Sequence, residues 1–225
     1  MRKIIAPFFV SLDGVMQGPG GPEEDTSSGF THGGWLVPLF DESLGASVGE
    51  TFAGSFDLLL GRKTYDIFAA HWPEVAKHGH DDPGEHDLAV RFDRATKYVA
   101  THRPESLGWQ NSVSLGHDVV ASLRKLKAGD GPDLILQGSS ELTQTLLAHD
   151  LIDQFRLMIF PVVLGQGKRL FGAGTVPRSF AVARSTTSPK GVLVVSYDRV
   201  GAMQTGSFAL EQPTEAELKR RADNR

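Results

Sequence analysis

A mainly parallel α/β sheet with helices on both faces and a closing antiparallel hairpin is the fold class that this sequence predicts. Three observations predict it. Short apolar runs alternate with helical periodicities along most of the chain, two of those runs end in glycine-bearing turns that open helices, and the final two runs follow one another with no helix between them.

The elements follow in order. Ile4 to Ser11 is apolar behind Arg2-Lys3, which has the outline of a secretion signal. The apolar part is short, lacks a small-x-small cleavage site and runs into Ser11-Leu12-Asp13-Gly14, so it reads as a first strand. Glu42 to Ala53 and Thr64 to Ala70 carry helical spacing, the latter through Tyr65, Phe68 and Ala69. Phe56 to Leu60 is a buried-strand pattern, and Lys97 to Thr101 is a third strand. Asp118 to Lys127 is the clearest helix: Val119, Val120, Leu123 and Leu126 share a face, Lys125 and Lys127 suit its C-terminal end, and Gly129 can cap it. Leu134 to Gln137 is a strand followed by a helix over Ser140 to His149. Phe155 to Val163, Phe180 to Thr186 and Leu193 to Val200 complete the strands, the last two as the hairpin. Gly18 to Gly34 and His71 to Asp87 read as long loops of the kind that line or cover sites.

With 225 residues, 40% of them hydrophobic and 22% charged, the chain suits a single domain over residues 1–210 and a polar tail, short helix or disordered, over 211–225. The net charge of −4 offers nothing to nucleic acid, and no apolar stretch is long enough to cross a membrane. The absence of cysteine excludes disulfides, thiolate metal sites and cysteine nucleophiles, and fits a cytoplasmic location.

The chemistry gathers at strand ends. Leu58-Leu59-Leu60-Gly61 meets Arg62, Lys63 and Thr64 at the start of a helix, where unpaired N–H groups and the helix dipole favour an anion. A solvated basic turn is the plainer reading of those residues alone. A second strand-to-helix turn, Gln137-Gly138-Ser139-Ser140, is made of small residues that let backbone approach a diphosphate, and Thr101-His102-Arg103 ends the strand beginning at Lys97. In open α/β sheets ligands bind outside the strand C-termini, so these ends together predict one extended phosphorylated ligand.

In sequence order, Val10-Ser11-Leu12-Asp13-Gly14, Leu60-Gly61-Arg62-Lys63-Thr64-Tyr65, Leu136-Gln137-Gly138-Ser139-Ser140, Leu151-Ile152-Asp153-Gln154-Phe155, Pro161-Val162-Val163-Leu164-Gly165-Gln166-Gly167 and Leu170-Phe171 resemble the dihydrofolate reductase-like superfamily. Within it they resemble the branch that shares the C-terminal reductase domain of the riboflavin-biosynthesis deaminase/reductase. The resemblance implies hydride transfer from NADPH to a small heterocyclic or sugar-derived substrate, and a homodimer. It implies that Gly61, Arg62, Lys63 and Thr64 grip the cofactor phosphates. Thr101, His102 and Arg103 would then lie near the ribose and its 2′-phosphate, and Gln137, Gly138, Ser139, Ser140 and Leu142 beside the diphosphate and nicotinamide.

On the substrate side, Ser11 and Asp13 match the family's Ser-x-Asp-Gly motif, and Trp35 to Asp41 resembles the Trp-x-x-Pro segment ahead of the substrate-binding carboxylate in dihydrofolate reductases. Asp13, Asp41 or an ordered water is the candidate proton donor. One inserted residue before Asp41 leaves open that it caps the Glu42 helix instead. Pro7 stands where the family carries lysine, Gln137-Gly138-Ser139 replaces Glu-Gly-Gly, and a chain without cysteine cannot supply the zinc deaminase signature, so the expectation is a stand-alone reductase, similar to 5-amino-6-(5-phosphoribosylamino)uracil reductase or dihydrofolate reductase, whose own substrate is open. The rival reading is a non-catalytic nucleotide-binding module on the same fold.

Two motifs are decoys. Gly45-Ala46-Ser47-Val48-Gly49 matches the hydrolase G-x-S-x-G, but its acidic, helix-initiating flanks put Ser47 within a helix rather than on an elbow. His71, His78, His80, Asp81, Asp82 and His86 lie close in sequence without an i, i+4 histidine pair, and read as solvated loop residues rather than metal ligands.

Overall fold

A computed structural model describes residues 1–224. Eight strands, β1 (Ile4–Ser11), β2 (Phe56–Gly61), β3 (Lys97–Ala100), β4 (Ser112–Ser114), β5 (Asp133–Gln137), β6 (Gln154–Phe160), β7 (Ser179–Thr187) and β8 (Leu193–Gly201), form one sheet in the order β4-β3-β2-β5-β1-β6-β8-β7. The pairs from β4 through β6 are parallel, while β8 runs antiparallel to β6 and β7. The helices are α1 (Glu42–Thr51), α2 (Arg62–His78), α3 (Pro83–Arg94), α4 (Val119–Ala128), α5 (Ser140–Ala148) and α6 (Glu215–Asp223). The predicted fold class is therefore the observed one. No helix among the described residues is long and apolar enough to cross a membrane.

Period-2 alternation decides which helix covers which face. Leu59, Leu134, Leu136, Phe155 and Leu157 pack on one side with Leu123 of α4 and Leu142 and Leu146 of α5. Leu58, Leu60 and Ile135 pack on the other with Tyr65 of α2 and Phe92 of α3, and Leu44 of α1 meets Met158 and Phe160 further along that face. Leu58, Leu59 and Leu60 are all fully buried, each contributing roughly 1.5–3 kcal/mol of apolar burial.

The segment from His71 to Asp87 is not a loop. α2 continues through Pro73 to His78, and Asp82 caps α3 by accepting from the Gly84 N–H at 2.8 Å, with Pro83 in the first turn. An internal proline costs about 3 kcal/mol. The face formed by Tyr65, Phe68, Ala69, Trp72 and Val75 continues past it into the core, and Trp72 packs edge-on against Phe92 at 4.9 Å. Tertiary packing thus outweighs the local penalty. The histidines lie beside carboxylates, His78 3.2 Å from Glu74, and His71 and His80 about 3.5 Å from Glu85. Among the described residues no group of three His, Cys, Asp or Glu side chains is placed to hold a metal ion.

The apolar stretch beginning at Leu157 enters the sheet as an interior strand. β6 is an interior strand between β1 and β8, and Leu157, Met158 and Phe160 are buried. β4 and β7 are the edge strands. Ser47 lies inside α1, where its hydroxyl donates to the Ser43 carbonyl at 3.0 Å.

β1 pairs with β5 through Ile4 and Ile5, and with β6 as far as Ser11. The two neighbours therefore part near Pro7, which has no N–H to give to a ladder. Strand order also reverses here, because β5 lies between β1 and β2 and the chain then crosses to β6 on the other side of β1. This is the switch point at which open α/β sheets bind ligands.

Lys97, the first residue of β3, is fully buried; its Nζ donates to the carbonyls of Phe92 at 3.1 Å and Asp93 at 2.9 Å and lies 4.2 Å from the Trp109 ring centre. Burial pushes its pKa down from 10.5 to about 8, with the Asp93 charge opposing. Between those pH values the unfolded chain binds the proton and the folded chain does not, so this group makes stability rise as pH climbs from about 8 to 10.5. Lys97→Met should lose that rise, as read from urea midpoints at the two ends of the window.

Candidate functional site

The turns after β2 and β5 are locked together by one hydroxyl. Ser139 Oγ accepts from the Gly61 N–H at 2.8 Å and lies 2.9 Å from Thr64 Oγ1. The approach is close enough to dictate glycine twice. A Cβ on Gly61 would fall 2.5 Å from Ser139 Oγ, and one on Gly138 would fall 2.6 Å from Thr64 Oγ1, at a backbone φ of +55°. Ser139 is itself left-handed at φ 60°, which aims the start of α5 at the gap between the turns.

The two helices that begin here differ from the others. Asp41, Asp82, Asp118 and Thr214 each cap a helix with a side-chain oxygen, at α1, α3, α4 and α6. α2 and α5 start at Gly61 and Ser139 with no side-chain cap, because the Ser139 hydroxyl is turned to the neighbouring turn instead. Their first N–H groups and dipoles are left for an anion.

All the residues expected to hold the cofactor, Gly61 to Thr64, Thr101 to Arg103, Gln137 to Ser140 and Leu142, line one cleft of about 2290 Å³. Thr101 is buried and its hydroxyl accepts from the Arg103 N–H at 3.0 Å, shaping the turn after β3. Arg62 bridges the first and third turns. Its guanidinium grips Asp66, with Nε–Oδ2 at 3.0 Å and Nη2–Oδ1 at 2.7 Å, and Nη1 donates to Ser106 Oγ at 2.6 Å and the Arg103 carbonyl at 3.3 Å. Arg103 lies 3.8 Å from the same Asp66.

The segment from Gly18 to Gly34 is strapped across the cleft by residues that no sequence motif marked. Asp25 lies 3.2 Å from Lys63 Nζ and 2.5 Å from Lys168 Nζ, and Gln17 donates to the carbonyls of Asp25 and Ser27 while accepting from the Lys168 N–H. Burial works to raise the Asp25 pKa, but the Lys168 ammonium, Ser27 and Lys63 drive it well below the usual carboxylate range. Glu24, also in the cleft wall, goes the other way. Burial raises its pKa although the Gly20 N–H donates to it at 2.6 Å.

The expected substrate residues are placed differently. Ser11 is buried and donates to Asp13 Oδ1 at 2.6 Å, and Asp13 accepts from the N–H groups of Leu164 at 3.1 Å and Gly165 at 2.9 Å. These bonds, led by that from Ser11, hold the Asp13 carboxyl at about 2, so it carries no proton to donate at neutral pH. The pair fastens the end of β1 to the Pro161–Gly167 turn. Trp35 packs edge-on to Phe160 at 5.3 Å and donates to the Gln17 carbonyl at 2.9 Å, as a buried core residue. Asp41 does reach the cleft, but it caps α1 by accepting from Leu44 N–H at 3.0 Å. Burial opposes ionisation there, and the bonds from Leu44, Ser188 and Lys190 overcome it, so its pKa is also lowered. Both geometries argue against the proton-donor role.

Gly138→Ala should destabilise the protein by about 1–2 kcal/mol from the left-handed backbone alone, and by more through the collision with Thr64. Thr64→Ala in the same chain should recover the second part and not the first. Chemical denaturation of both single variants and the double variant measures the split; strict additivity would contradict the contact.

The chain matches the model of the RibD C-terminal domain family over residues 2–194. It is 28% identical over 198 residues to YyaP of Bacillus subtilis (strain 168), an uncharacterized protein, covering 87% of this chain and 94% of that one. A putative riboflavin biosynthesis protein from Shewanella sp. PV-4 superposes with a TM-score of 0.56 at 23% identity, covering 88% of this chain and 99% of that one. Dihydrofolate reductase from Enterococcus faecalis, complexed with NADP(H), superposes at 0.51 with 14% identity, covering 88% and 96%. These solved structures share its fold, and the family match over most of its length shows that the chain belongs to the RibD C-terminal domain family.

Proposed function

We propose that the chain is an NADPH-dependent reductase that passes hydride to a small heterocyclic or sugar-derived molecule. The observation that carries this reading is the pair of uncapped helix N-termini, at α2 and α5, opening with the end of β3 on one cleft at the switch point of the sheet. Such a cradle suits a diphosphate: glycine at Gly61 and Gly138 lets backbone come close, and N–H groups supply the donors. Bound there, NADPH would supply the hydride.

The chain's own residues do the rest. Arg62 and Arg103, sharing Asp66, form the cationic corner suited to a 2′-phosphate. Lys63 and Lys168, joined by Asp25, bring the Gly18–Gly34 segment against the cleft and restrict water there. Glu24, the carboxyl in the cleft wall whose pKa burial raises while those of Asp13 and Asp41 are lowered, is the candidate donor of the proton that must accompany hydride.

NADPH titration by fluorescence is the first test, and absence of binding would overturn the proposal. Binding with no oxidation in the presence of folates, phosphoribosylamino-pyrimidines or small ketones would favour the non-catalytic module. Arg62→Gln should weaken NADPH by about 10- to 100-fold, the loss of a charged hydrogen bond, and leave NADH nearly unchanged. An equal loss for both cofactors would remove the 2′-phosphate assignment. Glu24→Gln should lower kcat and abolish the alkaline limb of its pH profile while NADPH affinity holds.

A further inference from the structure

We infer that Arg156 binds a carboxylate on the hydride acceptor, so that the acceptor is a small, flat, largely apolar body carrying one carboxylate. The acceptor role rests on the reductase reading above; the anion site stands on its own geometry.

Arg156 lies in the interior of β6, opposite Pro7 of β1, and Met158 lies opposite Phe9. Its neighbours Phe155 and Leu157 face the other side of the sheet, in the core with α5, so Arg156 and Met158 share the face that lines the cleft. A cation at an inward position of an otherwise apolar strand is costly unless something compensates it.

The other cations of the cleft are already compensated. Asp25 takes Lys63 and Lys168, Asp66 takes Arg62 and Arg103, and Arg91 donates to the carbonyls of Ala53 and Gly54 at 3.1 and 2.6 Å. Arg156 has one hydrogen bond, from Nε to Gln154 Oε1 at 2.6 Å, and among the described residues its two terminal amino groups donate to nothing. The acidic groups whose charge reaches it are occupied. Glu50 binds Arg184 at 2.7 Å, Asp198 accepts from Gln154 Nε2 at 2.7 Å, and Asp133 accepts from the Lys3 N–H at 2.8 Å. Gln154, held from both ends, positions the guanidinium. Because arginine does not give up its proton in proteins, the half-buried charge stays, and its unbonded amino groups are open to an anion entering the cleft.

The anion it suits is a carboxylate. One guanidinium offers a single planar fork, which matches two carboxylate oxygens. A phosphate dianion brings a second charge, and of the residues beside Arg156 in the sheet, Pro7, Met158 and Ser196, none supplies a second cation and only the Ser196 hydroxyl supplies a side-chain donor. Phe52, Phe68 and Trp72 line the same cleft and suit a flat ring. Arg156 stands two strands from β5, about 10 Å across the sheet from the turn at Gln137, so a ring system spans from the cofactor cradle to the guanidinium.

The test uses 2-naphthoate, 2-naphthyl phosphate and 2-naphthamide, titrated into the full chain by calorimetry. The naphthoate should bind at least tenfold more tightly than the other two. Arg156→Gln should weaken it at least tenfold and Arg156→Lys should restore part of the loss, with NADPH affinity and melting temperature unchanged in both variants. Failure of the naphthoate to bind, equal binding to Arg156→Gln, or tighter binding of the phosphate or the amide would each overturn the inference. Loss of NADPH binding by the wild-type chain would instead overturn the reductase reading, which separates the two failures.

Discussion

The hydroxyl of Ser139 is the contact on which the cleft depends. By accepting from Gly61 and meeting Thr64, it holds the turn after β5 against the turn after β2. Those turns belong to neighbouring strands, so the bond converts two adjacent strand ends into a single concave surface. The same bond diverts the side chain that would otherwise cap α5. A serine at the N-cap position that satisfied its own helix would stabilise that helix by about 1 kcal/mol and blunt its attraction for an anion. Here that local stabilisation is forgone, and both helix starts keep free N–H groups on one cleft. Departure from the local rule at two helices, against its observance at four, marks the site.

Charge around the cleft divides it into two halves. Around the starts of α2 and α5 each cation shares a carboxylate, two around Asp25 and two around Asp66. Shared pairs of this kind hold long side chains in place and leave part of each positive charge for a ligand, so the cradle is organised before anything binds. On the other side, Arg156 shares the cleft with apolar and aromatic side chains, and its terminal amino groups have no hydrogen-bond partner among the described residues. The first half thus offers many donors close together, and the second a single planar fork. Asp13 and Asp41, which the motifs placed in the chemistry, are instead tied into the fold, one clamping the β1 end to the Pro161–Gly167 turn and the other starting α1.

Much of the sheet was legible because its signals are local. Leu58 to Leu60 bounded by Gly61, the Leu134 to Gln137 run and the Asp118-capped helix each carry their own evidence within a few residues, and the residues singled out at the strand ends do line one cleft. The His71 to Asp87 stretch was misread because Pro73 and the polar residues around it outweighed an apolar face that continues from Tyr65 to Val75. Asp82-Pro83, a cap followed by proline in the first helical turn, was a legible sign of α3. Arg156 also left a trace, as a charge at the inward phase of an apolar strand. Trp35 resembled a substrate segment and proved to be core, because a motif does not say which way an indole points.

By itself the sequence determined the alternation of strands and helices, the antiparallel hairpin at the end, and the glycines and cations at the ends of β2, β3 and β5. Those properties follow from short-range periodicity and from backbone conformations that few residues can adopt. Only the tertiary structure decided which side chains meet across long separations: Asp25 with Lys168, Ser139 with Thr64, Asp13 with Leu164. It also decided that Asp13 and Asp41 are held ionised and that Arg156 is left to the cleft. Proton affinity and charge compensation depend on burial and on partners brought together by the sheet, and neither is written in the neighbouring residues.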